Sequence, residues 1–432
     1  MRKKTCKGLL AAVLCCLLLL PLAPAAFAQI LYGDVNFDNT VTAEDARLIL
    51  RAAVGLEDFT DAQTGYGDID LSGDITAADA RLALRLAVGL STDEAPADDP
   101  EPADDPAPAN DPEPALEARR EAWLRSFPDA VSYDDLESNM NWLVNEIGQR
   151  NFYNGTQNAI GNAIYERLGV YGYTGAERQI RDFYANGVLG RNVLGIIPTA
   201  VQNPKILLVL SHYDTVRGTG GAVDNSSGAA ALLQLAKRFK ATGEDYGLEV
   251  RFLFTAGEEQ GYFGAYAYVN SLSYEERSRH ILAFNMDMAG KPNDLYEPGR
   301  SYYLTVSTEP VSTDGYYAPA AVSNIGSQAI DSSKAALGYL GESGYYSPVR
   351  AGMHDIVPFR KAGMTALTLS WRCIASAYDR HHGSDYGFAT PYYTHTPDDN
   401  MYYFDITSLY NTTRLVAGAI ARLILPYNVS LL

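Results

Sequence analysis

The chain has 432 residues, 47% of them apolar, and its 52 acidic against 34 basic side chains leave a formal net charge of −18. Such acidity excludes a protein that binds nucleic acid by neutralising phosphates. No segment beyond the N-terminal leader reaches the roughly 18 consecutive apolar residues of a membrane span.

Residues 1–28 read as a signal peptide: Arg2, Lys3, Lys4 and Lys7 form the basic region, Leu9 to Leu20 the apolar stretch and Ala26-Phe27-Ala28 the cleavage signature. The expectation is a secreted, extracellular protein. Cys15 and Cys16 lie inside the apolar stretch behind Leu14, which is not the small residue a lipoprotein site needs. Cys6, Cys15 and Cys16 depart with that peptide, so Cys373 is left alone and no internal disulfide is expected.

Residues 29–90 contain a repeat: Gly33 to Leu56 recurs 34 residues later as Gly67 to Leu90. Each copy reads as a calcium loop followed by an amphipathic helix. Hard cations take oxygen ligands at loop positions 1, 3, 5, 7, 9 and 12. The first copy supplies Asp34, Asn36, Asp38, the Thr40 carbonyl, Thr42 and Asp45; the second supplies Asp68, Asp70, Ser72, the Asp74 carbonyl, Thr76 and Asp79. Loop position 6 is Gly73 in the second copy and Asn39 in the first, both tolerant of the left-handed turn required there. Two Ca2+ ions are therefore expected. An ordinary EF-hand pair would carry an entering helix, for which Gln29 to Gly33 is too short.

The duplicated loop and helix resembles the dockerin module of cellulosomal enzymes. That resemblance implies a small all-α calcium-binding module, a cohesin module of a scaffoldin as partner, and a place in an extracellular multienzyme complex. It points to Ala43, Glu44, Arg47 and Arg51, with Ala77, Ala78, Arg81 and Arg85, as the cohesin-facing residues.

Residues 91–117 are rich in Pro, Ala, Asp and Glu, cannot bury apolar surface, and are expected to form an extended tether. Residues 29–117 hold 21 acidic and 4 basic side chains, so the acidity belongs to the calcium module and tether. Residues 118–432 then form one α/β domain, with Glu117 to Phe127 and Asp134 to Ile147 helical and packed on its sheet.

Within that domain Ile206 to Ser211 is a continuous apolar run, the pattern of a strand buried on both faces, and it delivers His212 and Asp214 at its C-terminal end. Asp224 lies in a loop just before the helical spacing of Ala229 to Lys240. Val250 to Phe254 is a second strand ending in Gly257-Glu258-Glu259, and Ile281 to Phe284 a third ending in Asn285-Met286-Asp287. His395 follows in a polar, turn-like stretch. Ligands belong at that edge of an open α/β sheet. Zinc takes imidazole and carboxylate ligands and keeps an open position for water when catalytic, so two metals sharing a carboxylate need about five protein groups. His212, Asp224, Glu259, Asp287 and His395 supply them. Glu258 is then available as general base, and Asp214 to orient the His212 imidazole.

In order and spacing, these motifs resemble the zinc aminopeptidases of metallopeptidase family 28, from about Tyr133 to the C-terminus. The resemblance implies a mixed, mostly parallel sheet flanked by helices, two Zn2+ ions and peptide substrates. It implies that Asp224 bridges the metals, that His212 and Asp287 complete one site, and that Glu259 and His395 complete the other. Two departures stand out. Where many relatives have Ser-Asp-His-x-Pro-Phe, this chain has His354-Asp-Ile-Val-Pro-Phe359, with Ile356 at a position that is not a ligand. Where some relatives place an oxyanion-stabilising Tyr beside the last His, this chain has Thr394, which leaves Tyr392 and Tyr393 as candidates.

A carboxypeptidase or a glutaminyl-cyclase-like acyltransferase with one zinc would share the fold, and a non-catalytic calcium-dependent interaction protein would need the catalytic set to have decayed. Isolated His280, His381 and His382 are expected to be hydrogen-bonded or solvated surface residues.

Overall fold

The computed structural model describes residues 33–38, 40–69, 74–87, 113–296, 300–309, 324–337, 345–350, 354–374, 388–389, 393–428 and 431. The signal-peptide reading, most of the tether, Asn39, Asp70, Ser72, Gly73, His381, His382 and Tyr392 lie outside the described residues. The chain divides into two compact units, Met1–Ala109 and Asn110–Leu432.

In the first unit, helix α1 spans Ala43–Ala53, α2 Asp61–Gly67 and α3 Ala77–Ala87. The repeat-related helices α1 and α3 begin alike. Thr42 and Thr76 each donate their backbone N–H and hydroxyl to one oxygen of the loop's last aspartate, Asp45 or Asp79, at 2.9 Å. In return the threonine hydroxyl accepts from Glu44 or Ala78 at 3.2 Å, so that the helix start is satisfied from both sides. Val35, Ala46, Ile49, Ala80 and Ala83 form a small core, with Phe59 and Tyr66 packed against it. Helix α2, absent from the sequence expectation, is only seven residues long and is held by a Thr60–Gln63 capping box.

The second unit opens with α4, Glu113–Asp129. It begins within the stretch expected to be tether, with Pro114 in the first turn, where its missing N–H costs nothing. Then follow α5, Tyr133–Asn141, a π-helical turn at Trp142–Ile147, and α6, Thr156–Val170. The strands are β1 Arg178–Ala185, β2 Val188–Ile197, β3 Ile206–His212, β4 Glu249–Thr255, β5 His280–Met286, β6 Lys291–Pro292, β7 Tyr302–Glu309, β8 Tyr345–Arg350, β9 Ala366–Ile374, β10 Phe388–Ala389 and β11 Phe404–Asp405. Between and after them lie α7 Ser227–Ala241, α8 Phe263–Ser271, α9 Tyr274–Arg279, α10 Asn324–Leu337, α11 Ile356–Lys361 and α12 Ile406–Ile424.

The main sheet runs β1-β2-β4-β3-β5-β9-β7-β8, with β10 added to β9. Its centre, β4-β3-β5-β9, is parallel throughout, and antiparallel pairings of β2 with β4 and of β7 with β9 extend it on both sides. Every residue of β3 is buried. Leu207 and Val209 join the larger apolar cluster with Leu232 and Leu235 of α7 and Leu415 and Val416 of α12, whereas Leu208 and Leu210 face the other way onto Tyr268 of α8 and Phe359 of α11. Helices on both faces explain why β3 is an unbroken apolar run; each such leucine contributes ~1.5–3 kcal/mol on burial. The chain leaves β3 toward β4 on one side and β5 on the other, which opens a crevice at the C-terminal ends of these strands.

At the opposite end of β4 and β5 a buried polar group has its own consequence. His280, expected at the surface, is 8% exposed. Its Nδ1–H donates to the Glu276 carbonyl at 2.8 Å and its Nε2 faces the Tyr268 hydroxyl at 3.3 Å. Burial pushes its pKa down to about 4. The folded state therefore holds it neutral while the unfolded chain charges it below its ordinary value of 6.5. The unfolded state binds the extra proton, so stability is lost as pH falls through that window. Replacing His280 by Asn should flatten the pH dependence of unfolding between about 4 and 6.5, by up to ~3 kcal/mol at the acid end, measured by urea denaturation at several pH values; an unchanged slope would refute the assignment.

Candidate functional site

Four segments deliver side chains to the crevice: the end of β3 gives His212 and Asp214, the loop before α7 gives Asp224, the turn after β4 gives Glu258 and Glu259, and the end of β5 gives Asp287. His395, at φ 67°, comes from the polar turn that precedes β11.

Asn225 stitches the first, second and fourth segments together. Its Nδ2 donates to the Ser211 hydroxyl at 3.1 Å and the Met286 carbonyl at 3.0 Å, while its Oδ1 accepts from the N–H groups of Gly228 and Met288 at 2.9 and 3.1 Å. The Asp224–Asn225 peptide bond is cis. Gly228 must be a glycine, because a Cβ there would lie 2.4 Å from Asn225 Oδ1 and 2.5 Å from the Met286 carbonyl.

The donor atoms converge in two sets. His212 Nε2 lies 3.4 Å from Asp224 Oδ1 and 3.5 Å from Asp287 Oδ1. His395 Nε2 lies 3.1 Å from Asp224 Oδ2 and 3.2 Å from Glu259 Oε2. Zinc bonds of 2.0–2.1 Å in tetrahedral geometry put neighbouring ligand atoms about 3.3 Å apart. One oxygen of Asp224 thus faces each set. His212 Nε2 and Glu259 Oε1 are buried with no hydrogen-bond partner, the condition of ligand atoms awaiting a cation. The residues fit a pair of zinc ions: His212, Asp224 and Asp287 could hold one, and Asp224, Glu259 and His395 the other. Glu258 Oε2 is 4.0 Å from His212 Nε2, and its carboxylate gathers with His212 and Asp287.

Asp214 stands beside His212 and also shapes the turn after β4. His212 Nδ1 meets the Asp214 backbone carbonyl at 3.2 Å and its carboxylate only at 3.5 Å. The carboxylate also accepts from the backbone N–H groups of Glu258 and Glu259, at 3.1 and 3.4 Å, and so sets the turn that carries both glutamates. Tyr393 is fully buried with its ring 4.4 Å from that of Tyr296. Its hydroxyl is shielded from solvent, and Tyr392, the other oxyanion candidate, lies outside the described residues. Ile356 is buried in the apolar cluster with Phe359.

The electrostatics follow from crowding of carboxyl groups. Burial pushes Glu258 well above the usual carboxyl range, opposed by His212 and reinforced by Asp287, Asp355 and Glu259. Burial also raises Glu259, with Asp224 adding to it, to about 7. Burial likewise raises Asp355 to about 7 and Asp399 to about 7. Hydrogen bonds to Asp224 and Glu259 raise His395 to about 11. For Asp287 burial is outweighed by the imidazoles of His354 and His212, which hold it well below the usual carboxylate range.

Two organising residues escaped the sequence reading. Asp399 accepts the backbone N–H groups of Val223 at 2.7 Å and Asp224 at 3.1 Å, which ties the His395 turn to the Asp224 loop. Arg150, fully buried, donates to the carbonyls of Tyr213 at 2.6 Å, Leu143 at 2.8 Å, Gly148 at 2.7 Å and Gly220 at 3.1 Å, and to the Ser226 hydroxyl at 2.7 Å. It clamps the backbone on either side of His212 and Asp224 from a position 62 residues before the first ligand. Burial lowers its pKa to about 10, with Asp214, Asp399, Asp224 and Glu259 opposing. No local sequence pattern marks an arginine as a carbonyl clamp; that role is visible only in the fold.

In the first unit Asp45 Oδ1 accepts the N–H groups of Val35 and Asn36 at 3.1 and 3.2 Å, while Asp38 N–H reaches Asp34 Oδ1 at 3.2 Å and Asn36 Oδ1 at 2.9 Å. These bonds curl the loop on itself, with Asp45 and Asp34 tied to the backbone of the residues between them. In the second loop Ile69 N–H reaches Asp79 Oδ1 at 2.8 Å. Ala43, Glu44, Arg47, Ala77 and Arg81 are exposed; Arg51, Ala78 and Arg85 are half-buried. Leu50 and Leu84, at equivalent positions of the two repeats, are 45% and 48% exposed.

Both units of the chain are similar to known proteins. Residues 192–420 match peptidase family M28, and residues 32–84 match the dockerin type I domain. Aminopeptidase YwaD of Bacillus subtilis is 29% identical over 238 residues, 53% of this chain and 44% of that protein. The chain spans less than half the length of the curated relatives it matches first. A zinc aminopeptidase from Bacillus subtilis superposes with a TM-score of 0.54 at 17% identity, over 67% of this chain and 94% of that one. Glutaminyl cyclase of Porphyromonas gingivalis superposes with a TM-score of 0.50 at 21% identity, over 68% of this chain and 98% of that one.

If Arg150 is the clamp, Arg150→Met takes the guanidinium donor from four backbone carbonyls and should destabilise the protein by at least ~3 kcal/mol, read as a lower urea midpoint. A loss below ~1 kcal/mol would show that the guanidinium is dispensable.

Proposed function

The chain belongs to peptidase family M28 and carries a dockerin type I domain, and from that premise we propose that it is a secreted two-zinc exopeptidase. Its reaction is removal of N-terminal residues from peptides, and its dockerin holds it to a cohesin module of an extracellular cellulosomal scaffoldin.

The observation that carries this reading is Asp224, whose two oxygens face two separate ligand pairs at 3.4 Å from His212 and 3.1 Å from His395. His212, Asp224 and Asp287 would hold one zinc ion, and Asp224, Glu259 and His395 the other. Bound there, zinc would lower the pKa of a water it holds and polarise the scissile carbonyl. Glu258 takes the proton of the attacking water at its carboxylate and delivers it to the leaving amine. Asp214 holds Glu258 and Glu259 through their backbone amides, which keeps the base and the ligand apart although they are adjacent in sequence. The ligand pair His212 and Asp287 favours hydrolysis over one-zinc acyl transfer.

For the dockerin, the ligand set of each loop supports two Ca2+ ions, and the exposed outer faces of α1 and α3 support cohesin binding through Glu44, Arg47 and Arg81. The signal-peptide pattern of residues 1–28 supports secretion.

The purified chain should cleave peptides with free N-termini and spare their acetylated counterparts, lose that activity to a chelator, and regain it with zinc. Cleavage of both sets would move the assignment to a carboxypeptidase, and cleavage of neither to a cyclase or a non-catalytic protein. Glu258→Gln should lower turnover by ~10²–10⁴-fold with two zinc ions still bound per chain; wild-type turnover would end the assignment of the base. Removal of calcium with a calcium-selective chelator should abolish capture on immobilised type I cohesins and leave peptide hydrolysis intact. Capture that survives calcium removal would contradict the loop assignment.

A further inference from the structure

His354 belongs to a segment with no role in the function argued so far, yet it is 5% exposed and bonded directly into the site. Its Nδ1 lies 2.5 Å from Asp287 Oδ2. The other oxygen of the same carboxylate, Oδ1, is the one that faces His212. On the far side of the imidazole, Arg372 Nη2 meets His354 Nε2 at 2.5 Å, and Arg372 is itself 8% exposed. A guanidinium has only donors, so Nε2 must accept, and the ring proton sits on Nδ1, where it is donated to Asp287.

Three elements meet at this point. Asp287 follows β5, His354 stands just ahead of α11, and Arg372 is on β9. The backbones of the two strands are cross-linked there: Asp287 N–H donates to the Leu369 carbonyl at 3.2 Å and Trp371 N–H to the Met288 carbonyl at 2.9 Å. The side-chain row Arg372, His354, Asp287 therefore rests on a fixed frame. It leaves the carboxylate one free oxygen, aimed into the crevice, and removes its freedom to turn both oxygens toward a metal.

We propose that His354, braced by Arg372, is the positioning residue that makes Asp287 a one-oxygen ligand of the His212–Asp287 zinc site. Groups that hold a ligand in this way typically govern metal affinity by 10–100-fold. The inference rests on the reading of Asp287 as a ligand, so the test separates the two.

The full chain, loaded with zinc and titrated against a chromogenic zinc chelator, gives two dissociation steps. His354→Phe keeps the volume and removes the donor; one step should weaken by ~10–100-fold while the other, and the melting temperature of the metal-stripped protein, stay as in the wild type. Arg372→Met should weaken the same step, and the double variant should be no weaker than His354→Phe alone, because the guanidinium acts through the imidazole. His354→Gln, which restores an N–H donor, should recover part of the loss. Asp287→Ala should lose that step altogether; two undisturbed steps in that variant would overturn the ligand reading and this proposal with it. If Asp287→Ala loses a step while His354→Phe keeps both, the ligand reading stands and the positioning role falls. Equal weakening of both steps together with a lower melting temperature of the stripped His354→Phe protein would mark a packing role and would likewise overturn it.

Discussion

The burial of negative charge governs the peptidase unit. Asp214, Asp224, Glu258, Glu259, Asp287, Asp355 and Asp399 all bring carboxyl groups out of water around the ends of β3, β4 and β5, and Arg150 is the fully buried guanidinium set against them. An ionised carboxylate left alone in such surroundings costs many kcal/mol. Each therefore needs backbone N–H groups, an imidazole, a proton or a metal. Asp214 and Asp399 take backbone amides, Asp355 takes the Thr255 hydroxyl, and Asp287 takes His354. Asp224, Glu258 and Glu259 are left facing His212 and His395 across the crevice, which is where divalent cations fit. The parallel sheet makes this possible, since its central strands end together and their apolar bodies exclude water from beneath the acidic edge.

Much of that edge was legible in the sequence because it is written locally. An apolar run that stops at His212, or at the residues before Glu258 and Asp287, announces a strand end, and the strands fall within a residue or two of the expected limits. The dockerin was legible for a related reason, since each copy of its repeat is written within one continuous stretch of chain. What could not be read was anything set by contacts between distant segments. Arg150 carries no motif; it is identified only by the carbonyls that surround it. Asp399 looked like one of several polar turn residues, and its bonds to the backbone of Val223 and Asp224 span about 175 positions. The bonds by which Asp214 also fixes the turn of Glu258 and Glu259 are likewise contacts that spacing cannot express. The edge strands β1 and β8, and β7 between β8 and β9, are of mixed polarity, lack the continuous apolar signature and were not anticipated.

The two units differ in how they meet the cost of acidic groups. In the dockerin the acidic loop residues, buried Asp34, Asp45 and Asp79 among them, are satisfied by bonds within their own short segment. In the peptidase unit the groups are held by long-range bonds from a packed core, and the geometry is correspondingly exacting.

Asn225 has a temporal implication. Its four hydrogen bonds read Ser211 on β3, Met286 on β5 and the start of α7 at once, so they can all form only after strands separated by some seventy residues have paired. The ligand constellation is thereby a late product of folding, completed after the sheet that supports it. Metal capture in such an architecture acts as a checkpoint of maturation: a chain with a mispaired centre offers zinc only scattered carboxylates and imidazoles, and tight loading becomes a mark of the finished molecule.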